Sequence, residues 1–138
     1  MDSLGKHRDY LDGEWRALQA APLSARKAML VAALVDAYVD RLFGATPDAE
    51  DILAFRAGVA AQFTALGHIM ALCAGRAHLV TEAVVVPIAD FGALAVEDFM
   101  VSLYNDHSVQ RLRLIRPDGS GADMLETLAE AIAALDGF

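Results

Sequence analysis

The sequence predicts an α+β domain in which three N-terminal helices pack on a small antiparallel sheet of about three strands, with a C-terminal helix beside them. Two observations predict this class. Apolar residues before residue 76 recur at helical spacing, as Leu11, Trp15 and Leu18 do. Residues 99 to 116 instead read as a β-hairpin, with apolar and polar residues alternating most clearly over 109–115. We treat the whole chain, 1–138, as a single domain, since no linker or repeat is visible.

The first helix is predicted from about residue 6 to residue 20. Ser24 is placed to cap a second helix that runs to about residue 43 and ends at Gly44. Segment 46–51 combines a proline with acidic residues, which suits a helix N-terminus, so a third helix is predicted from this segment to about Cys73.

The second helix is apolar around most of its circumference, and its main charged strip consists of Asp36, Asp40 and Arg41. A helix of this kind must be covered on more than one side. We therefore expect it to be either the central helix of the domain or part of a subunit interface.

Strands are predicted after Gly75, where β-branched residues become frequent. Residues 79–86 form the first strand, which Pro87 ends. In the hairpin near 99–116, residues 105–108 form the turn. Residues 96–104 also fit a helical spacing, so a helix is the alternative for that segment.

The hairpin register pairs Phe99 with Leu114 and Tyr104 with Val109. It directs Leu112 and Leu114 toward the helices, and it directs Arg111, Arg113, Ser102 and Tyr104 outward. After the hairpin, residues 117–119 predict a turn, and Ser120 with Asp123 predicts the start of the last helix.

Composition limits the classes of function. The net charge is −8 and the eleven basic residues are scattered, which argues against nucleic-acid binding. The single cysteine and the lack of an apolar signal core predict a cytoplasmic protein. The hydrophobic fraction of 56% exceeds the usual value of roughly 45 to 50% and favours a homodimer.

Residues 57–75 contain no charged side chain, and this length approaches that of a membrane span. Gln62, Thr64 and His68 interrupt the segment, and its glycines and alanines make it weakly apolar. We therefore expect a buried core helix and no membrane contact.

Few residues suggest a binding site. Asp36 and Asp40 lie one helical turn apart, and paired carboxylates in a dry cleft are candidates for acid–base chemistry. Tyr104 and His107 flank the predicted turn, and loops often carry function. These four residues form the predicted ligand-binding set. No catalytic residue, cofactor or metal site is predicted, and the spacing of the cysteine and nearby histidines does not suit metal binding.

The leading functional prediction is a non-enzymatic, cytosolic, bacterial-type interaction protein that forms a homodimer and acts as an adaptor, regulator or chaperone-like binder of a protein partner. We expect helix 24–43 or an exposed sheet edge to carry the contact. The alternative is a small-molecule-binding protein or minor enzyme whose pocket lies between the sheet and the helices and contains Asp36, Asp40, Tyr104 and His107.

Overall fold

The computed structural model describes residues 3–85 and 108–138, which form five helices and a three-stranded antiparallel sheet. The predicted α+β class with a C-terminal helix is confirmed. The helices are α1 (Ser3–Ala20), α2 (Ala25–Gly44), α3 (Ile52–Gln62), α4 (Thr64–Cys73) and α5 (Met124–Leu135). The strands are β1 (His78–Val85), β2 (Ser108–Ile115) and β3 (Gly121–Asp123).

The α1–α2 pair is fixed at its turn and along its length. The Ser24 hydroxyl caps α2 by accepting a hydrogen bond from the Lys27 backbone N–H at 3.1 Å, as the sequence predicts. Further along, buried His7 donates from Nε2 to the Leu34 carbonyl oxygen at 2.7 Å. The His7 ring also packs against Tyr38 at 5.6 Å between centroids. The buried His7 side chain therefore has a hydrogen-bond partner.

The second helix is the central helix of the domain. Helix α2 packs against α1, α3, α4 and α5. Most of its surface is therefore covered within the chain, as predicted for a central helix, and is not left for a subunit interface. The side chains that it contributes to the core are Ala28, Val31, Ala32, Val35, Tyr38, Val39 and Leu42.

The predicted third helix is wrong in two respects: it begins later than segment 46–51, and it is divided into two helices. The Thr46 hydroxyl donates to the Leu42 carbonyl oxygen at 2.7 Å, so this residue extends the end of α2. Helix α3 begins only at Ile52, where Asp51 caps it by accepting from the Leu53 backbone N–H at 3.0 Å.

The same segment then divides into two helices at Phe63, whose extended backbone has φ −125° and ψ 97°. The break lets α4 pack closely against α3. A Cβ atom at Gly67 would lie 3.2 Å from the Cβ of Ala60, so glycine permits this approach. Within the described residues, no helix is both long enough and apolar enough to cross a membrane.

The sheet has the order β1-β2-β3, and β2 pairs with β1 along its full length. Strands β1 and β2 match the predicted strands at 79–86 and 109–115. The other predicted hairpin strand, 99–104, lies outside the described residues. Leu114 has Leu79 and Ala122 as its strand neighbours, where the predicted register had Phe99.

Strand β3 was not predicted, because its three residues were interpreted as part of a turn and a helix start. Gly121 to Asp123 pair with the end of β2 and lead directly into α5. Asp123 then caps α5 by accepting from the Glu126 backbone N–H at 2.9 Å, so the helix starts three residues later than the predicted capping box with Ser120 as its cap. Gly119, with φ +88°, turns the chain between the two strands.

The two faces of β2 differ as predicted. Leu112 and Leu114 are buried in the core. Arg113, on the other face, donates from Nε to Glu82 Oε1 at 2.9 Å across the sheet. Thr81 and Ala83 of β1 lie on the same face of the sheet as Leu112 and Leu114, but at the end away from β3, and both are exposed. The sheet therefore contacts the helices mainly at the end where β3 joins it.

Two glycines with open space around them should respond oppositely to alanine. Gly75 ends α4 with φ +78°, whereas Gly13 lies inside α1, and an added Cβ meets nothing within 4 Å at either position. Gly75→Ala should lower the free energy of unfolding by about 1 to 2 kcal/mol because of its left-handed backbone. Gly13→Ala should raise it by about 0.5 to 1 kcal/mol. Urea denaturation measures both, and equal effects would contradict the assigned conformation of Gly75.

Candidate functional site

Asp36 and Asp40 both form ion pairs with the guanidinium group of Arg56. Arg56 of α3 donates from one guanidinium nitrogen to Asp36 Oδ1 at 2.5 Å and from the other to Asp40 Oδ1 at 2.8 Å. Tyr104 and His107, the other two predicted site residues, lie outside the described residues. Within the described residues, the predicted site is represented by an aspartate pair and by an arginine that the prediction did not include.

The cluster of Asp36, Asp40 and Arg56 is a structural contact, because the positive charge of the arginine attracts both carboxylates. Burial lowers the pKa of Arg56, but the hydrogen bonds and negative charges of Asp36 and Asp40 raise it to a net value above the ordinary one. The guanidinium is thus permanently charged and occupies the space between the two carboxylates. Acid–base chemistry by this pair loses its main support. One signal could have identified Arg56: it is the sole charged residue between positions 52 and 75.

Cys73 lies close enough to this cluster to be affected by its charges. Burial raises the pKa of the Cys73 thiol to about 11, Asp36 raises it as well, and Arg56 partly opposes them. The thiol is consequently protonated near neutral pH and is a poor nucleophile. His68 on the same helix has a lowered pKa, first because of burial and second because of Arg116. No three side chains within 3–85 and 108–138 are grouped as metal ligands.

Helix α3 presents an apolar side to solvent. Besides Ile52 at its first position, five of its residues are exposed and carry neither a charge nor a hydrogen-bonding side chain. At about 100° per residue they span roughly 140° of the helix circumference. Leu53 is 75% exposed, although leucine is normally buried. We call these residues the outer face of α3: Leu53, Ala54, Ala57, Gly58 and Ala61.

The opposite side of α3 holds the helix to the domain. Val59 is buried, and Phe55 packs edge-on against Phe43 of α2 at 5.6 Å between ring centroids. Phe55 also contacts Phe138 at 6.5 Å. Together with the ion pairs of Arg56, these contacts fix which side of the helix remains outside.

An open pocket of about 480 Å³ lies beside the start of α3. Three of its lining residues are acidic, one is the aromatic residue Phe55, and it borders the outer face of α3 at Ala54. Asp36 and Asp40 do not line it, and it does not lie between the sheet and the helices. The lining residues are Asp48, Ala49, Glu50, Asp51, Ala54 and Phe55.

Removing the Arg56 charge should destabilise the fold. Arg56→Met leaves Asp36 and Asp40 without their cation, and we expect a loss of about 1 to 3 kcal/mol in the free energy of unfolding, the range for hydrogen bonds to charged groups. Arg41→Met is the matched control, because Arg41 is exposed and has no ion pair in the described part of the chain; it should change stability by less than about 0.5 kcal/mol. Equal effects of both substitutions in thermal or urea unfolding would contradict a structural role for Arg56.

The reactivity of Cys73 should follow its raised pKa. Alkylation of the folded protein by iodoacetamide should increase up to about pH 11, whereas the urea-unfolded chain should show a midpoint near the ordinary value of 9.0. Asp36→Asn should move the folded midpoint to lower pH, since a negative charge that disfavours the thiolate is removed. Mass spectrometry measures the rates, and identical midpoints in the folded and unfolded protein would contradict this environment.

No family model, curated protein or solved structure matches this chain. Its function is therefore inferred from the geometry and chemistry of the described residues.

Proposed function

We propose that this protein is a non-enzymatic interaction protein that forms a homodimer through the outer face of α3. The observation that carries this proposal is the uninterrupted apolar surface of Leu53, Ala54, Ala57, Gly58 and Ala61 on a helix whose other side is already packed. A helix at the surface of a monomer normally presents polar residues to water. Exposed apolar patches commonly mark interaction sites.

The small side chains of this face favour contact with another helix. Ala54 and Gly58 lie four residues apart, as do Ala57 and Ala61, so each pair forms a shallow row along the helix. Helices with such rows can approach closely, because the distance between packed helix axes depends on the side chains at the contact. Leu53 then supplies the one large apolar group at the end of the surface.

The length of α3 indicates that neighbouring residues join the interface. Eleven residues at about 1.5 Å each give a helix of roughly 16 Å. A stable interface buries roughly 800 Å² on each partner, which exceeds what one face of so short a helix provides. Exposed apolar residues outside this face are available: Leu23, Met29 and Leu30 elsewhere in the chain, and Ile52 at the start of α3.

A catalytic role has less support. Both carboxylates of the pair are ion-paired with Arg56, and burial keeps the Cys73 thiol protonated. The small-molecule alternative expected a pocket that contains the predicted site residues, and the pocket beside α3 does not contain Asp36 or Asp40. The proposal includes a cytoplasmic location, which the single cysteine of the sequence favours.

Substituting the outer face should abolish the dimer. We expect light scattering after gel filtration to give twice the chain mass of 14.7 kDa for the wild type and the monomer mass for Ala57→Glu, since a buried unpaired carboxylate is costly. Ala129→Glu is the matched control, because Ala129 is an exposed alanine on α5, and this variant should remain dimeric. Circular dichroism should show that both variants retain the wild-type helix content. A monomeric wild type at high micromolar concentration would overturn the proposal.

A further inference from the structure

We propose that the two copies pack antiparallel, so that a basic surface at the start of α2 in each copy docks on an acidic surface at the start of α3 in the other. This inference rests on the proposed function and specifies the partner surface. The basic end consists of Leu23, Arg26, Lys27, Met29 and Leu30, and the acidic end consists of Asp48, Glu50, Asp51, Ile52 and Leu53.

The basic end combines exposed apolar and cationic side chains. Leu23, Met29 and Leu30 are all exposed, and so are both cations. Arg26 and Lys27 stand in the first turn of α2, where the helix dipole disfavours positive charge and where no acidic residue accompanies them. Within residues 3–85 and 108–138, neither side chain forms an ion pair. Two carboxylates from a second copy would compensate these two charges.

The acidic end has the complementary composition. Leu53 and Ile52 are exposed, and the Asp48 and Glu50 carboxylates have no cationic partner in the described part of the chain. Asp51 already accepts a hydrogen bond from the Leu53 backbone N–H. The 480 Å³ pocket between these carboxylates and the Phe55 ring is large enough for the end of an arginine or lysine side chain. A cation seated there would contact both carboxylate and aromatic groups.

The helices place the two ends at opposite extremes of one surface. Phe55 contacts Phe43, and the Arg56 guanidinium reaches Asp40 and Asp36, so the start of α3 lies beside the C-terminal half of α2. The acidic end therefore lies beside the C-terminal end of α2. At about 1.5 Å per residue, roughly 27 Å of helix separate it from the basic end.

Helical periodicity places Met29 of the basic end on the same side of α2 as the acidic end, whereas Lys27, nine residues before Asp36, lies on the opposite side. Met29 precedes Asp36 by seven residues, which is close to two full turns, so it lies on the side of α2 that α3 covers further along. The exposed surface can thus continue from Leu53 through the outer face of α3 to Met29. A two-fold axis perpendicular to α2 at its middle would bring each basic end onto the acidic end of the other copy.

Charge reversal tests this pairing. Arg26→Glu/Lys27→Glu and Asp48→Lys/Glu50→Lys should each raise the dimer dissociation constant at least tenfold in sedimentation equilibrium at low salt. An equimolar mixture of the two variants should form a heterodimer, and the chain with all four substitutions should dimerise again, because each restores opposite charges at both contacts. Asp51 is left intact, since it caps α3.

Lys6→Glu/Arg16→Glu is the matched control, because it changes the net charge equally at exposed positions of α1. This control should leave the dissociation constant within twofold of the wild-type value. If Ala57→Glu abolishes the dimer but the charge reversals leave its dissociation constant unchanged, the antiparallel pairing is overturned and the proposed function stays intact. Weakening by both reversals without recovery in the mixture or in the four-substitution chain would also overturn it. A wild type that stays monomeric would overturn both.

Discussion

The packing of α2 at the centre of the helices is the constraint on which the rest of the structure depends. Four helices cover this one helix, and apart from Tyr38 its inward residues are short or branched apolar side chains that leave little room for polar groups. Large-to-small changes in such a core are costly because neighbouring side chains relax only partly. The polar contacts that do reach α2 are local and satisfied, as with His7 at the Leu34 carbonyl group and Arg56 at the Asp36 carboxylate.

Arg56 connects this core to the proposed interface. The residue lies on the short helix α3, and its two ion pairs with α2 select the side of α3 that faces inward. Phe55 and Val59 occupy that same side. The residues on the opposite side of α3 therefore face water, although they are apolar. The proposed interface is thus a consequence of how α3 is attached. Apolar surface left exposed in this way is favourable to bury, at about 25 cal/mol for each Å².

Local patterns in the sequence predicted much of the fold. The cap at Ser24, the central helix and the two long strands follow from short-range chemistry. The break at Phe63 was not predictable, because no proline marks it and the segment on both sides has helical spacing; tertiary packing of α4 on α3 decides it. Strand β3 was missed because it is only three residues long, too short to show an alternating pattern of its own. Of the predicted site, Asp36 and Asp40 were identified, but their partner lies on another helix.

Hydrogen exchange as a function of protein concentration tests most directly whether a second copy covers the outer face of α3. If it does, amide exchange in residues 52–62 slows as the concentration rises through the dissociation constant, and residues 23–30 slow with it. Residues 124–135 of α5 serve as the internal reference and should exchange at a constant rate. Exchange in residues 52–62 that is independent of concentration from low to high micromolar protein would contradict the account.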